Sequence, residues 1–153
     1  MGNTLRKKSR LGRLTSIDDI PFYSLRDRVD VCRVSKCYDG DTIHIVLLGI
    51  YPQGPYQLKC RLMGIDTAEI RGSLSEEKEF ALKTRDYLRN LILDKVIYVK
   101  FGDFDSFGRT LANFYLHKKD IGSTNTISQH LIDNGYGYQY DGTKKKKFEE
   151  WKR

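Results

Sequence analysis

Two aspartates flank a glycine at the start of a β-branched run, in the segment YDGDTIHI (residues 38–45). Carboxylate oxygens are the ligands that hard divalent cations such as calcium prefer, so this segment can supply part of a metal site. An ordinary Asp-Gly turn between two strands is the alternative, and the segment alone does not separate the two. It is not an EF-hand loop, because Ile43 and His44 stand where that loop requires a ligand and a glycine.

Two further segments combine arginines with carboxylates. In RLMGIDTAE (residues 61–69) an arginine precedes an aspartate and a glutamate at the end of an apolar strand. Arginine can bind a phosphate through two parallel hydrogen bonds, and a nearby carboxylate can bind a metal or accept a proton from water. A strand-end salt bridge is the alternative. In FDSFGRTLANFY (residues 104–115) Arg109 opens a strand after a glycine, which by itself indicates only a turn.

The elements that must position these residues are short strands and two helices. Strand-like runs cover residues 29–38, 42–50, 56–65, 96–101 and 110–116. The spacing of Phe80, Thr84, Leu88 and Leu91 predicts a helix to about residue 93, with Ser73 or Ser75 as its cap. A second helix is predicted at residues 126–134, closed by Gly135. This order favours an α+β, mainly β fold, a five-stranded barrel with two to three helices, over a parallel sheet.

The composition limits the class of protein. A chain of 153 residues is long enough for one domain, which we expect at residues 29–153 after a basic, flexible leader at residues 1–28. The net charge of +7 favours a polyanionic partner such as nucleic acid. Three cysteines without CxxC spacing argue against a zinc site or a disulfide framework. With no secretory signal and no membrane-spanning run, we expect an intracellular protein.

Together the three motifs form an ordered pattern: Asp-Gly-Asp-Thr, then Arg-x4-Asp-Thr-x-Glu, then a helix, then Phe-Gly-Arg-x-Leu-Ala. In this order they resemble the staphylococcal-nuclease-like (thermonuclease) family, and the likeness covers about residues 29–151. The resemblance implies an OB-fold and a calcium-dependent phosphodiesterase that cuts DNA and RNA with little sequence specificity. It also implies cleavage of the bond to the 5′ oxygen, which leaves 3′-phosphate ends.

The resemblance assigns a role to each matching residue. Asp41 and Asp66 would bind calcium through their carboxylates, with the backbone carbonyl of Thr67 and waters completing the shell. Glu69 would orient or deprotonate the attacking water. Two arginines, whose planar fork matches phosphate oxygens, would hold the scissile phosphate: Arg61 and Arg109.

The chain departs from the family pattern at two positions. Ala68 replaces the proline of the family's Asp-Thr-Pro-Glu turn, and Phe107 replaces the tyrosine before Gly-Arg, but no ligand or arginine is lost. Phe107, Tyr138 and Tyr140 are expected to offer ring faces on which bases stack without sequence preference. The lysine run at residues 144–147 is expected to be a solvated charged end rather than a set of phosphate ligands.

A nucleic-acid-binding OB module that has lost catalysis is the alternative function, as in the tandem domains of Tudor-containing relatives. All five catalytic and ligand side chains are present, which favours the enzyme. We expect a monomer that acts on DNA and RNA, prefers single strands and needs no protein partner. The Met-Gly-Asn start looks like that of plant calcium-dependent nucleases, which leaves N-terminal acylation and membrane anchoring as the less favoured alternative for the leader.

Overall fold

The computed structural model of the chain describes residues 2–49, 54–71 and 75–152. These described residues contain seven strands: β1 Val29–Cys37, β2 Thr42–Leu47, β3 Tyr56–Leu62, β4 Ile65–Asp66, β5 Val96–Phe104, β6 Thr110–Tyr115 and β7 Tyr138–Gln139. The α-helices are α1 Gly2–Gly12, α2 Ser75–Ile92, α3 Ile127–Asp133 and α4 Phe148–Trp151, and a short 3-10 helix spans Lys118–Asp120.

Five of these strands close into a barrel in the order β1-β2-β3-β6-β5, with β5 pairing back onto β1. The β3–β6 pair is parallel, with Cys60 opposite Thr110, and the other four pairs are antiparallel. Closure leaves none of the five strands with an open edge along its paired length. The structure confirms the mainly β, OB-like barrel that the sequence predicts.

Alternation of buried and more exposed residues, clearest in β2 and β5, builds the core. In β2, Ile43, Ile45 and Leu47 are fully buried, while Thr42 and His44 between and beside them face outward. Leu88 and Ile92 bring the apolar face of α2 into the same core, where α2 packs on β1. The short helix α3 packs on β6 through Leu131 and Ile127. The outward faces of β2 and β3 are therefore free to carry polar side chains.

Helix ends agree in part with the predicted signals. Thr126 caps α3 by accepting a hydrogen bond from the Gln129 backbone N–H, and Gly135 follows the helix with a φ of 76°. Gly135 thus closes α3 as predicted, since its backbone occupies the left-handed region that glycine tolerates best. Helix α2 begins at Ser75, and the other candidate cap, Ser73, lies outside the described residues.

The leader contains a helix that the sequence does not predict. All residues of α1 are exposed, so this helix packs no face on the barrel, although its apolar and basic side chains lie on different sides. Further on, Leu25 is buried in the barrel core while Phe22 is almost fully exposed. Residues 24–28 thus join the edge of β5, where Asp27 donates a backbone hydrogen bond to Phe101. Within the described ranges, no helix is long and apolar enough to cross a membrane.

Candidate active site

A tight turn between β1 and β2 presents the first carboxylate. Asp39 Oδ1 accepts hydrogen bonds from the backbone N–H groups of Asp41 (3.2 Å) and Thr42 (2.7 Å), which fixes the turn. Gly40 lies against the loop after β4, because an added Cβ would sit 2.7 Å from the Thr67 Oγ1 atom. Only glycine allows this approach, and it brings Asp41 beside the loop that carries the second carboxylate.

Arg61 joins the two carboxylates. It lies opposite Thr42 on the outward face of the β2–β3 pair. Its Nη2 atom is 2.8 Å from Asp66 Oδ1 and 3.2 Å from Asp41 Oδ2, while its Nη1 atom donates to the Ile65 carbonyl. Asp41, Asp66 and Arg61 are all buried, so the structure brings together three of the predicted site residues in one solvent-poor cluster.

The charges in this cluster do not balance. The pKa of Asp41 is raised to about 6, chiefly by burial and in addition by the nearby carboxylates of Asp39 and Asp66, against the opposing effects of Arg61 and Thr42. Two buried carboxylates facing one buried guanidinium leave a local deficit of positive charge. A cation that enters this site would offset that deficit.

The donor set fits a hard divalent cation. One carboxylate oxygen each of Asp41 and Asp66 contacts the same Arg61 nitrogen, so the two carboxylates lie close together, and Thr67, which follows Asp66, is also buried. No cluster of three His, Cys, Asp or Glu residues that could hold a metal occurs in the part of the chain that the structure describes. Two carboxylates therefore mean that waters and carbonyls must complete the shell.

The second arginine sits on a turn organised by Asp105. Oδ1 of Asp105 accepts from the backbone N–H groups of Phe107 and Arg109, and Oδ2 accepts from Arg109 Nε at 2.7 Å. Burial alone would raise the pKa of Asp105, but these hydrogen bonds lower it. Gly108 has a φ of 76°, which the turn requires. Sequence reasoning missed Asp105, although its short spacing from Gly108 marks it as a turn residue.

Arg109 reaches Asp41, a predicted metal ligand, through a hydroxyl. Its Nη1 atom donates to Thr42 Oγ1 at 2.9 Å, and that hydroxyl donates to Asp41 Oδ1 at 3.1 Å. Phe107, 83% exposed, lies with its ring 5.7 Å from the Arg109 guanidinium. This places an open aromatic face next to the arginine, where the sequence predicted a substrate-binding ring.

Glu69 lies apart from the buried cluster. Its side chain is exposed, and its Oε1 atom accepts a hydrogen bond from Lys145 Nζ at 2.8 Å. That hydrogen bond lowers the pKa of Glu69, so the carboxylate is ionised at neutral pH. Lys145 is also 3.2 Å from Asp66 Oδ1. The expectation of a purely solvated lysine run is therefore wrong for Lys145, because two carboxylates of the site hold its ammonium group.

The two predicted tyrosines differ in their surroundings. Tyr138 is buried; its hydroxyl donates to Asp66 Oδ2 at 2.7 Å and accepts from the Lys146 backbone N–H. Burial, followed by this hydrogen bond to Asp66, raises the pKa of Tyr138 to about 12. Its ring therefore has no open face for a base, contrary to the sequence prediction. Tyr140 is half-buried, with its ring 5.4 Å from the Arg61 guanidinium.

Comparisons with known proteins agree with this arrangement. Residues 59–153 match the family described as staphylococcal nuclease homologue. The probable endonuclease LCL3 of Yarrowia lipolytica is 25% identical over 147 residues, which cover 85% of this chain. The chain spans 64% of that protein's length. The family match includes Arg61, Asp66, Glu69 and Arg109 and begins after Asp41.

Proposed function

Because the chain belongs to the staphylococcal nuclease homologue family, we propose that it is a nuclease, a calcium-dependent phosphodiesterase that acts on DNA and RNA. One observation carries the proposal: Asp41 and Asp66 converge on the buried Arg61 guanidinium, while Arg109 is joined to the same centre through Thr42. Such a cluster can bind both a cation and a phosphate. The name of the yeast relative, a probable endonuclease, also supports it.

Asp41 and Asp66 would hold calcium, with the carbonyl of Thr67 beside them. When bound, the cation supplies Lewis-acid polarisation of a phosphate oxygen and a template for the substrate. With only two charged ligands, the site should bind calcium modestly and keep several waters. Tyr138 fixes the orientation of Asp66 through its hydroxyl.

The arginines and Glu69 divide the remaining chemistry. Hydrolysis of a phosphodiester builds negative charge on the non-bridging oxygens, and preorganised cations facing that charge lower the barrier. Arg61 and Arg109 carry fixed charge for this task. Glu69, exposed and ionised, would orient or deprotonate the water that attacks phosphorus. The bond to the 5′ oxygen then breaks and leaves a 3′-phosphate.

Substrate choice should be loose. Phosphate contacts by arginines carry no sequence information, and the exposed Phe107 ring and the half-buried Tyr140 ring can pack on any base. We expect single strands to be preferred, because their bases are free to stack on these rings. The net charge of +7 adds sequence-independent attraction to nucleic acid.

A cleavage assay in calcium and then in chelator tests the proposal. Single-stranded DNA, RNA and duplex DNA should all be cut with calcium, the single strands fastest, and cleavage should stop in chelator and return with added calcium. Cleavage that persists in chelator would reject the calcium site. Binding of nucleic acid without cleavage under every condition would identify the chain as a binding module instead.

A variant pair excludes a contaminating nuclease. Arg109→Lys should lower turnover by ~10²–10³, because a point charge does not replace a planar fork at the transition state. The matched control is Arg33→Lys on β1, where the arginine is exposed and pairs with Asp94. The control should cleave at the wild-type rate. Equal rates for the two variants would show that Arg109 does not contact the transition state.

A further inference from the structure

The last described residues form a strap across the candidate site. This C-terminal strap, residues 144–152, includes α4 and folds over the loop after β4. Phe148 and Trp151 pack with Phe80 of α2, at ring distances of 5.5 and 5.8 Å. Lys146 donates its backbone N–H to the Tyr138 hydroxyl, and Lys152 pairs with Glu76 at 2.7 Å. These contacts hold the strap, and with it the backbone next to Lys145, against α2 and Tyr138.

Lys145 contacts a carboxylate oxygen of Asp66, one of the two residues expected to hold the cation. Its Nζ atom is 3.2 Å from Asp66 Oδ1, and Arg61 Nη2 is 2.8 Å from that oxygen on the other side. The second carboxylate held by Lys145 is Glu69, at 2.8 Å. One ammonium group thus bridges the expected metal ligand and the expected water-activating residue.

A divalent cation and the Lys145 ammonium cannot both stay close to Asp66 Oδ1 without strong repulsion. Of the two cationic side chains at that oxygen, Arg61 is buried and is held by the Ile65 carbonyl as well. The Lys145 side chain is 49% exposed, and its flexible stem allows the ammonium group to return to water. Lys145 is therefore the side chain that must move away from Asp66 when a cation binds.

We infer that Lys145 is an internal competitor of the divalent cation: it neutralises Asp66 and holds Glu69 when the metal is absent and is released when the metal binds. The inference rests on the proposed calcium site and adds a regulatory coupling to it. Because Lys145 bridges both carboxylates, metal binding also frees Glu69 for the attacking water. Because the ammonium group must leave Asp66 before the metal binds, a change that weakens the Lys145–Asp66 contact should strengthen metal binding, by at most the factor by which that contact is weakened.

Calcium affinity in the absence of substrate tests this inference. Isothermal titration with calcium should show Lys145→Met binding about three- to tenfold more tightly than wild type, because a screened positive charge a few ångströms from the site is removed. Lys145→Arg keeps the charge and should bind within twofold of wild type. Lys144→Met is the matched control, since Lys144 is the adjacent exposed lysine and its loss changes the net charge equally.

A second readout uses the chain's single tryptophan. Trp151 lies on the C-terminal strap with its ring 5.2 Å from that of Tyr138. Calcium should change its emission in the wild type and in Lys144→Met, because release of Lys145 loosens the strap. The change in emission should be smaller in Lys145→Met, because the strap of this variant does not contact Asp66 even before calcium is added.

The outcomes separate the inference from the proposed function. Equal calcium affinity in Lys145→Met and Lys144→Met, in a wild type that binds calcium and cleaves, overturns the inference alone. Weaker binding in Lys145→Met also overturns it, because the lysine would then organise the site instead of competing. Tighter binding in Lys145→Arg as well would exclude charge as the cause and overturn it too. A wild type that binds no calcium overturns both.

Discussion

At the scale of single residues, Arg61 has two tasks that one substitution cannot separate. It forms ion pairs with two buried carboxylates and, in the proposed reaction, faces the phosphate. Removing one partner of a buried ion pair costs ~3–5 kcal/mol, because it leaves buried charge without compensation. Loss of activity in an Arg61 variant would therefore mix unfolding with lost catalysis. Arg109, whose partners Asp105 and Thr42 lie nearer the surface turn, gives the cleaner measurement.

Glu69 and Asp41 should respond differently to neutral isosteres. Glu69→Gln should keep the fold and calcium affinity within a few-fold, because the side chain is exposed and is not one of the two buried ligands. Its turnover should fall by ~10²–10⁴, the usual value of general-base assistance. Asp41→Asn should lose both calcium affinity and turnover, because it removes a charged ligand. Calcium titrations beside initial cleavage rates measure the two effects.

One result would contradict the separate roles of Glu69 and Asp41. If Glu69→Gln loses calcium affinity as severely as Asp41→Asn, Glu69 must be counted among the metal ligands. The assignment of a separate water-activating residue would then be wrong.

The grouping of Asp41, Arg61 and Asp66 is expected from the resemblance of the ordered motifs to the staphylococcal nuclease family, and the fold brings the three side chains together. Lys145 escapes prediction for a simple reason: four successive lysines carry no pattern that tells which of them points inward. Tyr138 and Tyr140 alternate with Gln139 as expected. This alternation predicts on which side of the strand a ring lies, but it does not predict which residue the ring or hydroxyl contacts. The hydroxyl of Tyr138 reaches a carboxylate 72 residues earlier, which only the folded chain reveals.

At the scale of elements, the two-residue strands β4 and β7 hold the site in place. Their pairing sets Asp66 opposite Tyr138, and Gly137 lets the backbones approach. Gly137→Ala should destabilise the fold by ~1–3 kcal/mol, because the new Cβ would lie 2.7 Å from the Asp66 carbonyl oxygen, which belongs to the backbone and cannot swing away. Urea denaturation measures the change, with Gly12→Ala, which meets open space in α1, as its control.

A Gly137→Ala variant as stable as the Gly12→Ala control would show that β7 can move away from β4 at little cost. The Tyr138–Asp66 hydrogen bond would then be a consequence of packing rather than a support of the site. Retained calcium affinity in Gly137→Ala would also indicate that this hydrogen bond does not support the site.

The longer elements are predictable and the shortest are not. The longer elements all lie within a few residues of their predicted bounds: β1, β2, β3, β5, β6 and α2. Each is long enough for its sequence pattern, alternation in a strand or 3.6-residue spacing in a helix, to repeat several times. Strands β4 and β7 have two residues each and α4 has four, too few to express a period. Helix α1 shows the opposite case, a helix without a buried face, which propensity alone supports.

At the scale of the whole molecule, three buried free thiols tie stability to alkaline pH. Burial raises the pKa of Cys37 from 9.0 to about 11 and that of Cys32 to about 12. Because the folded-state pKa values are raised, the contribution of these thiols to the free energy of unfolding is fully present below pH 9. It is lost as the pH rises towards 11. Between pH 7 and pH 10, Cys37 should account for a loss of about 1 kcal/mol.

Urea denaturation at both pH values measures this loss, and Cys37→Ala supplies the comparison. The variant starts from lower stability, because it leaves a small cavity, but it should lose about 1 kcal/mol less between the two pH values. If wild type and variant lose the same amount, the Cys37 thiol titrates normally in the folded protein.

Closure of the barrel through β1 and β5 also has a consequence for synthesis on the ribosome. Val29 of β1 pairs with Lys100 of β5, so β1 cannot complete its pairing until β5 has been synthesised. Strand β6 must follow before the barrel can close. Tyr138 and Lys145 emerge later still. A growing chain thus lacks its finished site until β7 with Tyr138 has been translated. An enzyme proposed to cut RNA would stay inert up to that point of its own synthesis.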